Sequence, residues 1–182
     1  MASAAGMASA AEVPRPSPDF AVTMLGGNPI PLSQYKGKVL VLAFILTTCP
    51  HCQKTVGYLS AIQKEYGPRG FQALASAIED MAAMDLPDFI KRFQPPFPVG
   101  FNTQTAAQEY LQHPVMLRLL MPQLVFIDRK GTIRAQYGGD DKFISEEQAQ
   151  DRRLREQIET LLNEPAAPKK KRAAVSATKK TS

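Results

Sequence analysis

Val39-Leu40-Val41-Leu42-Ala43-Phe44-Ile45-Leu46-Thr47-Thr48-Cys49-Pro50-His51-Cys52 decides how this chain is read. Residues 39–46 are apolar without interruption, with Gly37-Lys38 before them and Thr47-Thr48 after them. Such a run fits a strand buried on both faces, as in the middle of a parallel sheet. Residues 53–66 then set Val56, Leu59, Ala61 and Ile62 among Lys54, Gln63, Lys64 and Glu65, which is helical spacing. The cysteine pair therefore lies between a buried strand and a helix.

That placement has chemical consequences. The first helical turn leaves N–H groups unpaired and the helix dipole adds partial positive charge, so a thiolate at Cys49 is favoured. Pro50 suits the first helical position, where no N–H is needed. His51, when protonated, adds a second cationic influence. Cys52, one turn further in, is close enough to attack a mixed disulfide formed at Cys49. Zinc is the competing reading of the pair. A structural zinc wants four ligands, yet only His51 and His113 remain, and His51 lies inside the pair. Redox chemistry is favoured, with no metal and no organic cofactor.

With these residues in place, the sequence resembles the thioredoxin superfamily, and most closely its TlpA/ResA-like (redoxin) branch of thiol–disulfide oxidoreductases. The resemblance runs through Gly37-Lys38, the apolar strand and Cys49-Pro50-His51-Cys52. It continues at Met121-Pro122-Gln123, which leads into Leu124-Val125-Phe126-Ile127-Asp128, and at the turn Asp128-Arg129-Lys130-Gly131. It covers roughly residues 19–163. It implies that Cys49 is the attacking thiol and Cys52 the resolving thiol, in an environment made by Thr48, Pro50 and His51. It also implies a cis proline at Pro122 opposite the cysteines, with Met121-Pro122 forming the substrate-binding turn. The implied partners are protein thiols or disulfides and a second redox protein.

Three positions depart from the family pattern. Thr48 stands where a tryptophan usually precedes the first cysteine, and the chain has no tryptophan at all. Ala43 stands at the place of thioredoxin's buried aspartate, and Thr55 at the place of the acid that ResA-like proteins commonly carry. The usual route for deprotonating the second thiol is therefore missing. Pro50-His51 is instead the dipeptide of DsbA-like oxidants, and an added cation beside Cys49 makes a disulfide more oxidising.

A chain of 182 residues with 44% apolar and 21% charged residues suffices for one domain with a sizeable core. Two cysteines so close together staple nothing. No run approaches the roughly 20 apolar residues of a membrane span. Lys169, Lys170, Lys171, Arg172, Lys179 and Lys180 follow Pro165 with no acid among them, which leaves residues 1–164 at −1 of the net +5. The domain thus carries no nucleic-acid signature. The tail, 165–182, reads as a disordered basic segment that aids solubility, with nucleic-acid or anionic-surface contact as the alternative. Residues 1–18, rich in Ala, Ser and Pro, read as a disordered arm without the apolar core of a secretory signal. The expectation is a cytoplasmic monomer. Ala8-Ser9-Ala10 resembles the small-residue end of a signal, which keeps a periplasmic or extracytoplasmic alternative open.

The domain is placed at 19–164. Residues 20–23 and 30–32 predict a hairpin turning through Gly26-Gly27-Asn28, and 71–78 a second buried strand. Residues 81–93 predict a helix with Met81, Met84, Phe89, Ile90 and Phe93 for one face, stopped by Pro95, Pro96 and Pro98. Residues 99–101 read as a short strand and 105–111 as a short helix, with His113-Pro114 at its end. Residues 124–128 and 132–137 form a hairpin turned at Gly131. A last helix starts at Ser145 with Glu146 and Glu147 in its first turn. The fold class is α/β, a thioredoxin-like three-layer sandwich whose central mixed sheet is flanked by helices, with an N-terminal β-hairpin extension. Two other functions compete. A peroxiredoxin-like peroxidase shares the lead-in Tyr35-Lys36-Gly37-Lys38, but has Leu42 and Leu46 where that family wants Pro and Thr. A redox-inert binding module would use the fold as a scaffold.

Overall fold

The computed structural model describes residues 11–165. In chain order its elements are β1 (Arg15–Pro16), β2 (Ala21–Val22), β3 (Ile30–Pro31), β4 (Val39–Ile45) and α1 (Pro50–Tyr66). There follow β5 (Phe71–Ala77), α2 (Ala82–Phe93), β6 (Val99–Phe101), α3 (Gln104–Leu111), β7 (Gln123–Ile127) and β8 (Thr132–Tyr137). The chain closes with α4 (Lys142–Ser145) and α5 (Glu147–Asn163).

All seven residues of β4 are buried because the strand faces two cores at once. Val39, Val41, Ala43 and Ile45 point to one side, where α1, α2, α4 and α5 supply Val56, Leu59, Leu86, Phe143, Leu154 and Ile158. Leu40, Leu42 and Phe44 point to the other, against Val22, Leu32, Tyr110 and Leu111. The period-two alternation of strand side chains divides the run between the layers. At about 1.5–3 kcal/mol for each large apolar side chain buried, β4 stabilises both layers together. The sheet order is β1-β8-β7-β4-β5-β6. β4–β5 and β5–β6 are parallel, while β4–β7, β7–β8 and β8–β1 are antiparallel. The expected mixed sheet between helical layers is the observed fold, and β2–β3 is the expected N-terminal hairpin.

Several expectations need correction. The reading of an unstructured arm through Pro18 does not hold over its last residues. Arg15 and Pro16 pair with Ile133 and Thr132 as an edge strand, and Arg15 Nη2 donates to Gln136 Oε1 at 3.0 Å. An edge strand tolerates proline because one side of its backbone needs no ladder partner. The helix over 81–93 packs on the core through Phe89, Ile90 and Phe93 as expected, but at its start Ala82 and Leu86 are the buried residues, whereas Met81 is 53% and Met84 70% exposed. Leu86 and Phe89 meet the core at helical spacing, and Met81 lies just outside the helix as its N-cap residue. The final helix begins at Glu147, not Ser145. Asp141 caps the short α4 by accepting from Phe143 N at 2.8 Å. The chain bends at Glu146 after Phe143 has stacked on Tyr137 with ring centroids 4.0 Å apart. Residues 1–10 of the arm, and the basic tail beyond residue 165 with its expected contacts, lie outside the described residues.

Candidate active site

β4 and β5 run parallel, so their C-terminal ends share one edge of the sheet, where α/β folds place their chemistry. From β4 the chain leaves through Leu46, Thr47 and Thr48, and Cys49 becomes the N-cap residue of α1 with Pro50 in the first turn. Cys49 is partly exposed and Cys52 fully buried, and both are free thiols. The amide of Leu46 donates to Cys52 Sγ at 3.5 Å. Burial drives the Cys52 thiol far above its ordinary value; the Leu46 N–H opposes this, and Cys49, within hydrogen-bond reach, adds to it, as does the charge of Glu79.

Around the pair, Thr48, Pro50 and His51 are exposed. His51 Nδ1 lies 3.0 Å from Glu147 Oε1, and Lys54 pairs with the other oxygen of the same carboxylate. The Lys54 ammonium, followed by His51, holds the Glu147 carboxyl below the usual carboxylate range. Thr55, at the place of the expected acid, is buried: its hydroxyl donates to His51 O at 2.9 Å and accepts from Gln150 Nε2 at 2.9 Å. That position ties α1 to α5.

The bond between Met121 and Pro122 is cis, as the resemblance implied. Pro122 is buried and Met121 partly so. The antiparallel register pairs Phe44 with Gln123 and Ala43 with Leu124, so Pro122 directly precedes the strand beside β4, and Met121 packs against the same core cluster as Cys49. The turn is braced by Gly139, whose amide donates to Leu120 O at 3.0 Å. A Cβ on Gly139 would lie 2.5 Å from the Met121 carbonyl oxygen, so only glycine fits there.

Glu79 is the site residue that the sequence analysis missed. It follows β5 directly, and its Oε1 accepts from Thr47 N at 2.8 Å and from the Thr47 hydroxyl. Its Oε2 is buried without a hydrogen-bond partner. The available signal was the acid at the end of the apolar run 71–78, on the same sheet edge as the cysteines. Glu147 and Gly139 were also missed, because nothing local connects them to the pair. Among the described residues no cluster of three or more His, Cys, Asp or Glu could hold a metal ion, and no helix is long and apolar enough to cross a membrane.

A mixed sheet between helical layers, a Cys-x-x-Cys at the start of the helix after the central strand, and a cis proline before the neighbouring strand define a thioredoxin-fold protein. The chain belongs to the Redoxin family, whose profile matches residues 12–151. It is similar to a thiol-disulfide oxidoreductase ResA of Bacillus thuringiensis subsp. konkukian, 30% identical over 91 residues, 50% of this chain and 52% of that one. The chain thus spans about half the length of the curated relatives it matches first. A probable phospholipid hydroperoxide glutathione peroxidase of Nicotiana sylvestris is 36% identical over 69 residues, 38% of this chain and 41% of its own. Among solved structures, a putative thiol:disulfide interchange protein DsbE of Chlorobium tepidum superposes with a TM-score of 0.65 at 23% identity, covering 80% of this chain and 96% of that one. The expected TlpA/ResA-like branch of the thioredoxin superfamily is upheld.

Proposed function

We propose that this chain is a thiol–disulfide oxidoreductase in which Cys49 attacks and Cys52 resolves. The observation that carries the reading is the asymmetry of the pair, a partly exposed Cys49 at a helix N-cap with a fully buried Cys52 behind it. In the reducing direction the Cys49 thiolate attacks a substrate disulfide and releases one substrate thiolate. Cys52 then attacks the Cys49 sulfur, closing the Cys49–Cys52 bond and freeing the second substrate sulfur. In reverse, the oxidised pair passes its disulfide to a substrate dithiol. Thr48, Pro50 and His51 form the exposed rim around Cys49, and the backbone at Met121-Pro122 is the assigned docking turn. Substrates are protein thiols or disulfides, a second redox protein restores the pair, and the domain acts as a monomer.

Cys52→Ser is the test. It should accumulate substrates bonded covalently to Cys49 and released by dithiothreitol, and a host lysate that yields none would defeat the reading. Direction follows from the reduction potential of the couple, about −270 mV for a thioredoxin-like reductant and about −120 mV for a DsbA-like oxidant. Fractionation of the host separates a cytoplasmic protein from an extracytoplasmic one. The second reading, thiol peroxidase, draws on the similarity to the Nicotiana protein. Buried Leu42 and apolar Leu46 offer no hydroxyl to peroxide, so purified reduced protein should not consume peroxide; appreciable consumption would reverse the order.

A further inference from the structure

The assigned resolving step needs somewhere to put a proton. Cys52 is fully covered, its sulfur touches the Leu46 amide and Cys49, and solvent does not reach it. A neutral thiol in that setting is a poor nucleophile until its proton leaves. The elements around it offer few acceptors. On β4 the inward neighbour is Ala43, and on α1 Thr55 has its hydroxyl committed to His51 O and Gln150. His51 is exposed and held by Glu147 on the outer side of the helix, where Lys54 joins them. Cys49 carries the mixed disulfide at that moment and accepts nothing.

Among the described residues one carboxylate remains. Glu79 enters from the end of β5, anchored through Oε1 to Thr47, the residue next to the Leu46 whose amide touches Cys52. Its second oxygen, Oε2, is buried and unsatisfied, an arrangement that is costly unless the group has other use. Asp80, its neighbour, is exposed.

We propose that Glu79 is the proton acceptor for Cys52 during resolution, its Oε2 taking the thiol proton while Thr47 holds Oε1. The assignment rests on the oxidoreductase reading. In the step, the Cys52 sulfur forms a bond to the Cys49 sulfur, the bond from Cys49 to the substrate sulfur breaks, and the substrate leaves as a thiolate. The Cys52 proton moves to the Glu79 carboxylate. The cysteine pair loses two electrons and the substrate disulfide gains them. In the oxidising direction the protonated Glu79 returns the proton as Cys52 leaves.

Glu79→Gln keeps an oxygen for Thr47 but cannot take a proton. With oxidised glutathione as probe, acid quenching and mass measurement separate attack, seen as the glutathione adduct on Cys49, from resolution, seen as its loss. Attack should stay within about twofold of wild type and resolution should slow by about 10–100-fold, so that the adduct accumulates. Glu79→Asp should recover part of the rate. Wild-type resolution should be nearly independent of pH between about 6 and 8, while the Gln variant should gain about tenfold per pH unit as hydroxide takes over. An unchanged resolution rate in the Gln variant overturns the assignment. So does a wild-type rate that already climbs tenfold per pH unit, which needs no variant to fold. Absence of any adduct on Cys49 in Cys52→Ser, where resolution is blocked, defeats the oxidoreductase reading, and this assignment with it.

Discussion

The outer and inner sides of the cysteine pair are built from opposite materials. Outside lie Thr48, Pro50 and the His51–Glu147–Lys54 cluster, with side-chain exposures of 54%, 37% and 51% for the last three. Inside lie buried Cys52 and Thr47, the Leu46 amide that touches the Cys52 sulfur, and a half-buried Glu79 whose Oε2 is covered. Water and salt screen the outer charges, so each is worth little. The inner groups act on one another at low dielectric, where a misplaced proton is costly. The comparison therefore assigns rim tuning to the outer cluster and control of the buried thiol to the inner one.

The sharpest way to break that division is to exchange the sulfurs. Cys49→Ser should lower disulfide exchange at least about a thousandfold and form no adduct, whereas Cys52→Ser should lose turnover yet keep the adduct, both read by mass. Equal behaviour of the two variants would erase the distinction between outer and inner thiol. A smaller effect is expected at the brace of the proline turn. Gly139→Ala drives a methyl into the Met121 carbonyl and should cost about 1–3 kcal/mol in urea unfolding, with weaker trapping by Cys52→Ser in the same background.

The pH dependence of stability isolates the inner side further. Burial raises the Cys52 thiol above its ordinary 9.0, so the folded protein keeps a proton that the unfolded chain gives up. Its contribution is complete below pH 9 and is lost as pH rises from there toward the raised folded value, by up to about 1.4 kcal/mol per pH unit. The reduced wild type should lose stability between pH 8 and 10 faster than Cys52→Ser does, since the variant keeps the contributions of Tyr35, Tyr110 and Tyr137, whose hydroxyls burial also raises. Smallest of all is the outer cluster. Glu147→Gln should move the equilibrium constant of the redox couple by less than about twofold, and 0.5 M salt should erase the difference. A larger, salt-resistant change would promote the rim to a principal determinant of the potential.

Legibility in the sequence followed the range of each interaction. The strand, the cysteine pair, α1, the β7–β8 hairpin and Pro122 are stretches whose residues meet their own neighbours, and all are where local pattern put them. The first turn of α2 was misjudged because Met81 and Met84 are as apolar as Leu86, and only the neighbouring layers choose among them. Arg15 and Pro16 read as part of an unstructured arm because their partner, β8, lies more than a hundred residues away. The contact of Glu79 with Thr47 was not legible for a related reason: Thr47 is 32 residues from it in the chain.

By itself, the order of residues determined the chemistry available and the place where it occurs, since a buried strand ending in Cys-Pro-His-Cys needs only local sterics and a helix terminus to present one thiol and cover the other. Which carboxylates surround that pair was decided only when the chain closed. Parallel pairing of β4 with β5 brings Glu79 to the inner side, and packing of α5 on α1 brings Glu147 to the outer one. Charges act through space, and the distances that set their effect exist only in the folded molecule.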